Sequence, residues 1–263
     1  MIRNDYIRLN RLIATIVFLV SFIVYYDTMA PTVSYWDCGE FIAVSHTLGV
    51  PHPPGSPFFL LLGRIASMLP MAEDIAFRVN LLSPISSAFA VMFLYLVIVL
   101  LVANWKGGIK NYQDSLVSFG GGVIGSLTFA FTDSHWFNAV EAEVYAFSTF
   151  FTAIVVWLIL KWNEKADEIG NERYILIIAY MIGLATGLHL LNLLAIPFIA
   201  LIIYFKKYEP NWKTFGYTVA ITGIVFFLIH NVIIKGMPKI ADSIGVWGAA
   251  CLVLSVFVFM IWA

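Results

Sequence analysis

Long apolar runs decide what this chain can fold into. LIATIVFLVSFIVYY (residues 12–26) is the first of several, and inside a bilayer such a run must satisfy every backbone N–H and C=O internally, which leaves helices and closed barrels. A spanning helix needs about 20 mostly apolar residues. Segments of that character lie near 10–27, 78–104, 115–133, 144–162, 173–190, 191–206, 214–235 and 243–263. The fifth and sixth are separated only by GLHLLNLLAIP, where Gly187 and Pro197 could turn a hairpin or kink one helix. The expectation is an all-α polytopic membrane protein of about eight spans. Composition agrees: 61% of the 263 residues are hydrophobic and 12% charged, roughly half the ~25% charged share of a soluble domain. Mean hydropathy is +0.89. A net charge of −1 gives no sign of a nucleic-acid partner, and two cysteines, Cys38 and Cys251, make no disulfide framework.

The basic N-terminus and first apolar run could pass for a signal peptide. Its small-residue cleavage pattern is weak and many spans follow, so an uncleaved first span is the better reading. The chain stops at VFVFMIWA without a flanking charge, and it is expected to be the N-terminal fragment of a longer protein, forming one transmembrane domain over 1–263. With the N-terminus in the cytoplasm, eleven of the fifteen Lys and Arg fall on the cytoplasmic side; Arg64, Arg78, Lys235 and Lys239 fall outside. This bias places residues 28–77 in an outer, periplasmic loop.

That loop is far longer than usual and holds the densest polar chemistry, WDCGEFIAVSHTLGVPHPPGSPFF (36–59). Residues 35–48 and 56–69 read as short helices, the second too short to span. The prolines at 51, 53, 54 and 57 forbid helix between them. Asp37 and Glu40, three apart, would share one helix face. Asp37 can also serve as a capping-box partner of Ser34, which leaves Glu40 without a role. PHPPGSP either holds His52 above the membrane or is a plain rigid link. Arg78, at the start of the second span, either snorkels to the headgroups or binds phosphate through its guanidinium. Arg64 is a weaker candidate for the same work. Asp133, His135, Glu141, Glu143 and Tyr145 gather in DSHWFNAVEAEVYA (133–146), as a solvated loop or as a binding wall. His189 and Asn192 lie in an apolar run, where polar groups are costly unless paired or lining a cavity. There is no Gly-rich phosphate loop, no HExxH and no metal-spaced Cys/His set. GGGVIG (120–125) reads as close helix packing.

The order of these elements resembles the GT-C superfamily of membrane glycosyltransferases, especially the protein O-mannosyltransferases, which pair an Asp-Glu motif with a downstream HPP. The nearest resemblance is to bacterial relatives of the human endoplasmic-reticulum O-mannosyltransferases that modify plexin-type domains. It is carried by W-D-C-G-E-F (36–41), G-V-P-H-P-P-G-S-P (49–57), L-G-R (62–64), F-R-V-N-L-L-S (77–83), A-V-E-A-E-V-Y-A (139–146) and G-L-H-L-L-N near 190. The Asp and Glu are adjacent in the mannosyltransferases and three apart here, which leaves open which carboxylate is the base.

The resemblance implies a GT-C-like helical bundle and a polyprenyl-phosphate sugar, mannose by family, as donor. It also implies an acceptor protein hydroxyl, inversion at the sugar, and a bacterial inner membrane with the site on the periplasmic face. Asp37 and Glu40 would be catalytic. Arg78 and Arg64 would hold the donor phosphate. His52, Glu141, Glu143, Tyr145, His189 and Asn192 would line the sugar and acceptor pocket. No cofactor is required. Two carboxylates and a histidine have the chemistry to bind a divalent metal, but no ligand spacing demands one. The rival expectation is a transporter or flippase for a lipid-linked or small polar solute. Against it stand the absence of a convincing repeat and the placement of the carboxylates in a loop rather than within spans.

Overall fold

A computed structural model describes residues 3–53 and 55–262; Pro54 of the PHPPGSP segment lies outside the described residues. The described residues form twelve α-helices in two compact units, Met1–Ala195 and Ile196–Ala263. In the first unit α1 (Arg3–Asp27) leads into a connection carrying α2 (Cys38–Thr47) and α3 (Pro57–Met68). Then come α4 (Ile75–Asn80), α5 (Leu82–Trp105), α6 (Tyr112–Ala130), α7 (Asp133–Ala139), α8 (Val144–Lys165) and α9 (Glu172–Thr186). The second unit contains most of α10 (Ala195–Lys207), then α11 (Trp212–Phe227), a π-helical turn Leu228–Ile234, and α12 (Gly236–Trp262).

Among the described residues, five helical stretches are long and apolar enough to cross a membrane, or six if the bent pair α6–α7 is one span. The difference from about eight has local causes. The expected span 173–190 ends early: α9 has 15 residues and stops before Gly187. The expected spans 214–235 and 243–263 share one continuous apolar run, Trp212–Val256, of 45 residues. At 1.5 Å per residue that is about 68 Å of helix, over twice the ~30 Å hydrocarbon core, and Gly245 breaks it with φ +78°.

Helix α5 is the axis of the first unit, packed on by α1, α6 and α8. Tyr25 of α1, fully buried, donates to Ala130 O at 2.8 Å and ties the ends of α1 and α6 together. Gly122 and Gly125 of the GGGVIG run lie directly against Tyr95, Ile98 and Val99 of α5. A second apolar cluster, including Phe41, Phe59, Val79, Phe147, Phe151 and Leu188, seats α2, α3 and α4 on α8 and the end of α9. Pro57 at the first turn of α3 suits a position with no N–H to satisfy. Ser56 just before it donates to Leu188 O at 2.9 Å, and Phe58 N–H to Gly187 O at 2.9 Å. The break after α9 is itself satisfied. Asn192, buried, donates to Ala185 O and His189 O and accepts from Thr152 Oγ1 at 3.1 Å.

One packing contact sets where α2 lies. A Cβ on Gly63 of α3 would fall 2.3 Å from Ser45 Oγ and 2.7 Å from Ser45 Cβ, so only glycine lets the two helices approach this closely. Gly63→Ala gains helix propensity of up to ~1 kcal/mol but overpacks the contact by about 1–3 kcal/mol. The expected result is a lower thermal unfolding midpoint in detergent, restored in the Ser45→Gly, Gly63→Ala double variant. A single variant as stable as the parent would contradict this packing.

Candidate active site

The connection between α1 and α4 folds back on itself. Trp36 adopts φ +59°, a conformation that costs a bulky residue on the order of 1–3 kcal/mol, and turns the chain so that Asp37 occupies the N-cap position of α2. Its side chain makes no capping hydrogen bond, so the capping role open to Asp37 is not the one it takes. At the other end of α2, Leu48 in left-handed conformation stops the helix. The proline-bearing segment then returns along it and delivers His52 to Glu40.

Both oxygens of Glu40 are engaged. Oε1 accepts the His52 backbone N–H at 2.7 Å, and Oε2 lies 2.6 Å from His52 Nδ1. His52 Nε2 is 3.9 Å from Asp37 Oδ2. The Asp37 side chain is 58% exposed and Glu40 is 37% exposed. The hydrogen bond from His52 holds the Glu40 carboxyl below the usual carboxylate range, and Glu40 in turn raises the imidazole above its ordinary 6.5, with smaller contributions from the charges of Asp37 and Glu143.

A raised folded-state value means that the His52 contribution is complete below pH 6.5 and lost as pH climbs through the raised value. An NMR titration of His52 should give a midpoint above 6.5, falling in Glu40→Gln; a midpoint at or below 6.5 would remove the pairing.

Directly beneath lies a buried layer. Glu141 and Glu143, 3% and 6% exposed, face the connection. Ser34 donates to Glu141 Oε2, and Cys38 Sγ is 3.7 Å from Glu143 Oε1. Burial, then the charges of Asp37 and Glu141, push Glu143 up to about 7. Burial and the same two glutamates push the Cys38 thiol up strongly.

The clamp that holds this layer is Asn80, fully buried. Its Nδ2 donates to Ala30 O and Thr32 O, each at 2.9 Å, and its Oδ1 accepts from Ala142 N–H at 3.0 Å. Ala30 N–H adds a bond to Val140 O at 2.8 Å.

The structure thus brings Asp37, Glu40, His52, Glu141 and Glu143 into one neighbourhood. The other candidates stand apart from it by their contacts. Arg78 spends its guanidinium on backbone carbonyls at the turn from α3 to α4: Ala72 O at 2.7 Å, Ser67 O at 2.9 Å and Glu73 O at 3.2 Å. Arg64 reaches the end of α2, donating to His46 O and lying 3.4 Å from His46 Nδ1. Tyr145 and His189 pair ring to ring with centroids 5.1 Å apart. Sequence reasoning gave Ser34 only a capping role and assigned none to Cys38 or Asn80. Asn80 carried a faint signal, as a polar residue at the head of a strongly apolar run.

An all-helical bundle with an Asp–Glu–His group on a folded connection defines a polytopic membrane protein with an acidic loop site. The chain belongs to the family described as the protein O-mannosyl-transferase TMEM260 N-terminal domain, whose model matches residues 37–212. The match covers every candidate site residue. Among curated relatives, it is 30% identical over 213 residues to "Protein O-mannosyl-transferase tmem260" of Dictyostelium discoideum, covering 75% of this chain and 24% of the relative. It is 29% identical over 149 residues to "Protein O-mannosyl-transferase TMEM260" of Mus musculus, covering 57% of this chain and 19% of the relative. The chain therefore spans about a quarter or less of these relatives' own length. No solved structure matches it.

Proposed function

We propose that this chain carries the catalytic connection of a membrane protein O-mannosyltransferase that moves mannose from a polyprenyl phosphate to a Ser or Thr hydroxyl on the periplasmic face. The reading is supported by the relatives' names, by the eight-to-two bias of the basic residues up to Arg173 and above all by one geometric contrast. Glu40 has both oxygens committed to His52, whereas Asp37, over half exposed, has among the described residues only the 3.9 Å approach of His52 Nε2. A general base needs a free lone pair within hydrogen-bond reach of the proton that it takes, so Asp37 is the base and Glu40 is its positioning partner through His52. Asp37 takes the hydroxyl proton, the acceptor oxygen bonds to the anomeric carbon, and the bond from that carbon to the phosphate oxygen breaks. A single displacement inverts the sugar centre.

The leaving phosphate needs positive charge rather than a proton. Arg78 and Arg64 take this role on donor binding, by exchanging the neutral carbonyls and histidine that now hold their guanidiniums for the charged phosphate. A charge-assisted hydrogen bond is worth about 1.5–3 kcal/mol, so Arg78→Ala should raise the donor KM by about tenfold or more with a smaller change for the acceptor. Equal changes would remove the assignment.

The test of the whole reading is radiolabelled mannose supplied on polyprenyl phosphate to the reconstituted protein with a Ser/Thr-rich acceptor. Label passing to the acceptor is the expected result. Label that stays on the lipid, including label that crosses the bilayer uncleaved as a flippase would carry it, sinks the reading.

A further inference from the structure

The buried layer beneath Asp37 raises a problem that the transfer reaction does not solve. Cys38, Glu141 and Glu143 are all buried, and each offers a ligand atom within 4.8 Å of the others. Burying ionised carboxylates is costly unless they are paired or bind a metal. Among the described residues no lysine, arginine or histidine forms an ion pair with either glutamate. Glu141 Oε2 takes Ser34, Glu143 Oε1 meets the thiol, and the Val144 backbone N–H also supports the Glu143 carboxylate. Among the described residues, Glu141 Oε1 is buried without a hydrogen-bond partner, although the Cys38 thiol lies near enough to feel this carboxylate. An orphaned carboxylate oxygen on a side chain only 3% exposed, beside a second carboxylate and a thiol, has the chemistry of a metal-ligand atom.

The spacing has the dimensions of a coordination polyhedron. Zinc binds thiolate sulfur at about 2.3 Å and carboxylate oxygen at about 2.0 Å, tetrahedrally. Those lengths put sulfur and oxygen on one zinc about 3.5 Å apart. Cys38 Sγ and Glu143 Oε1 are 3.7 Å apart, within reach of an S–H donor and close to that edge.

We propose that Cys38, Glu141 and Glu143 form a binding site for a divalent transition cation, zinc by ligand chemistry. The thiolate selects a borderline-soft ion over magnesium or calcium, and three protein ligands leave the fourth position open. Binding displaces the Cys38 proton to solvent and forms the sulfur–metal bond, with no change of oxidation state. The ion sits at the N-terminal end of α2, under Asp37, and ties α2 to the segment before α8. The site is separate from the assignment of Asp37 as base and stands whether or not the chain transfers sugar.

Cobalt is the probe, because a cobalt–thiolate bond gives a near-ultraviolet charge-transfer band that carboxylates alone do not. The other cysteine, Cys251, is exposed, and Cys251→Ser removes it as a source. The metal-stripped protein in that background, titrated with cobalt in detergent, should develop the band with one ion per chain and lose it on adding zinc. Cys38→Ser should abolish the band. Glu143→Gln should weaken cobalt affinity by at least the 10–100-fold that loss of a mere outer-shell partner costs. A folded, monodisperse Cys251→Ser protein that shows no charge-transfer band overturns the proposal, and leaves a proton shared between the glutamates as what balances the pocket.

Discussion

Asp37→Asn is expected to lower mannosyl transfer by about 10²–10⁴-fold, the range attributed to a positioned general base, while the donor KM stays within about twofold. The asparagine keeps the shape and cannot take a proton. The largest loss falls on Asp37 rather than Glu40 because Glu40 has no free oxygen: one accepts a backbone N–H and the other meets the imidazole. Glu40→Gln keeps a carbonyl acceptor for His52 and should cost less than Asp37→Asn. Single-turnover transfer with both variants checks the order. Wild-type turnover in Asp37→Asn, or a larger loss in Glu40→Gln, would move the base to the other carboxylate.

Asn80→Ala is expected to cost about 2–4 kcal/mol of stability. A buried hydrogen-bonding group left without its partner costs about 1–3 kcal/mol, and the substitution strips three. The Ala142 N–H is buried and loses its acceptor outright. The carbonyls of Ala30 and Thr32 are only partly buried and regain some water. The damage is also directional, since Asn80 joins the start of the connection to the segment bearing Glu141 and Glu143. Transfer should fall together with the thermal midpoint. Asn80→Asp keeps the acceptor for Ala142 N–H and should fall between Asn80→Ala and the parent. A thermal midpoint unchanged in Asn80→Ala would show that the clamp contributes nothing.

Much of this was legible in the residues. Apolar runs of about 20 residues marked the helices, prolines at 51, 53, 54 and 57 marked a non-helical segment, and the clustering of Asp37, Glu40 and His52 marked the connection as the seat of chemistry. Other features were not legible. Period and composition show which face of a helix is apolar but not which distant segment comes to rest on it. Cys38 in a polar loop looked like an incidental thiol until Glu143, 105 positions later, came to lie beside it. Asn80 looked like a residue at a span end until its side chain met Ala30, Thr32 and Ala142. Arg78 looked like a free guanidinium until the turn after α3 closed three carbonyls around it. The count of spans suffered for the same reason, since the break at Gly187 and the continuity through Gly236 depend on backbone geometry that hydropathy does not see.

By itself the sequence determined an α-helical membrane protein with acidic chemistry in its first long connection, because lipid offers no hydrogen bonds and the backbone must supply its own. Only the tertiary structure decided which carboxylate is free, which is held, and which pair is buried beneath them. Those distinctions arise from contacts between segments 12, 62 and 105 positions apart, and such contacts are set by packing, not by local pattern.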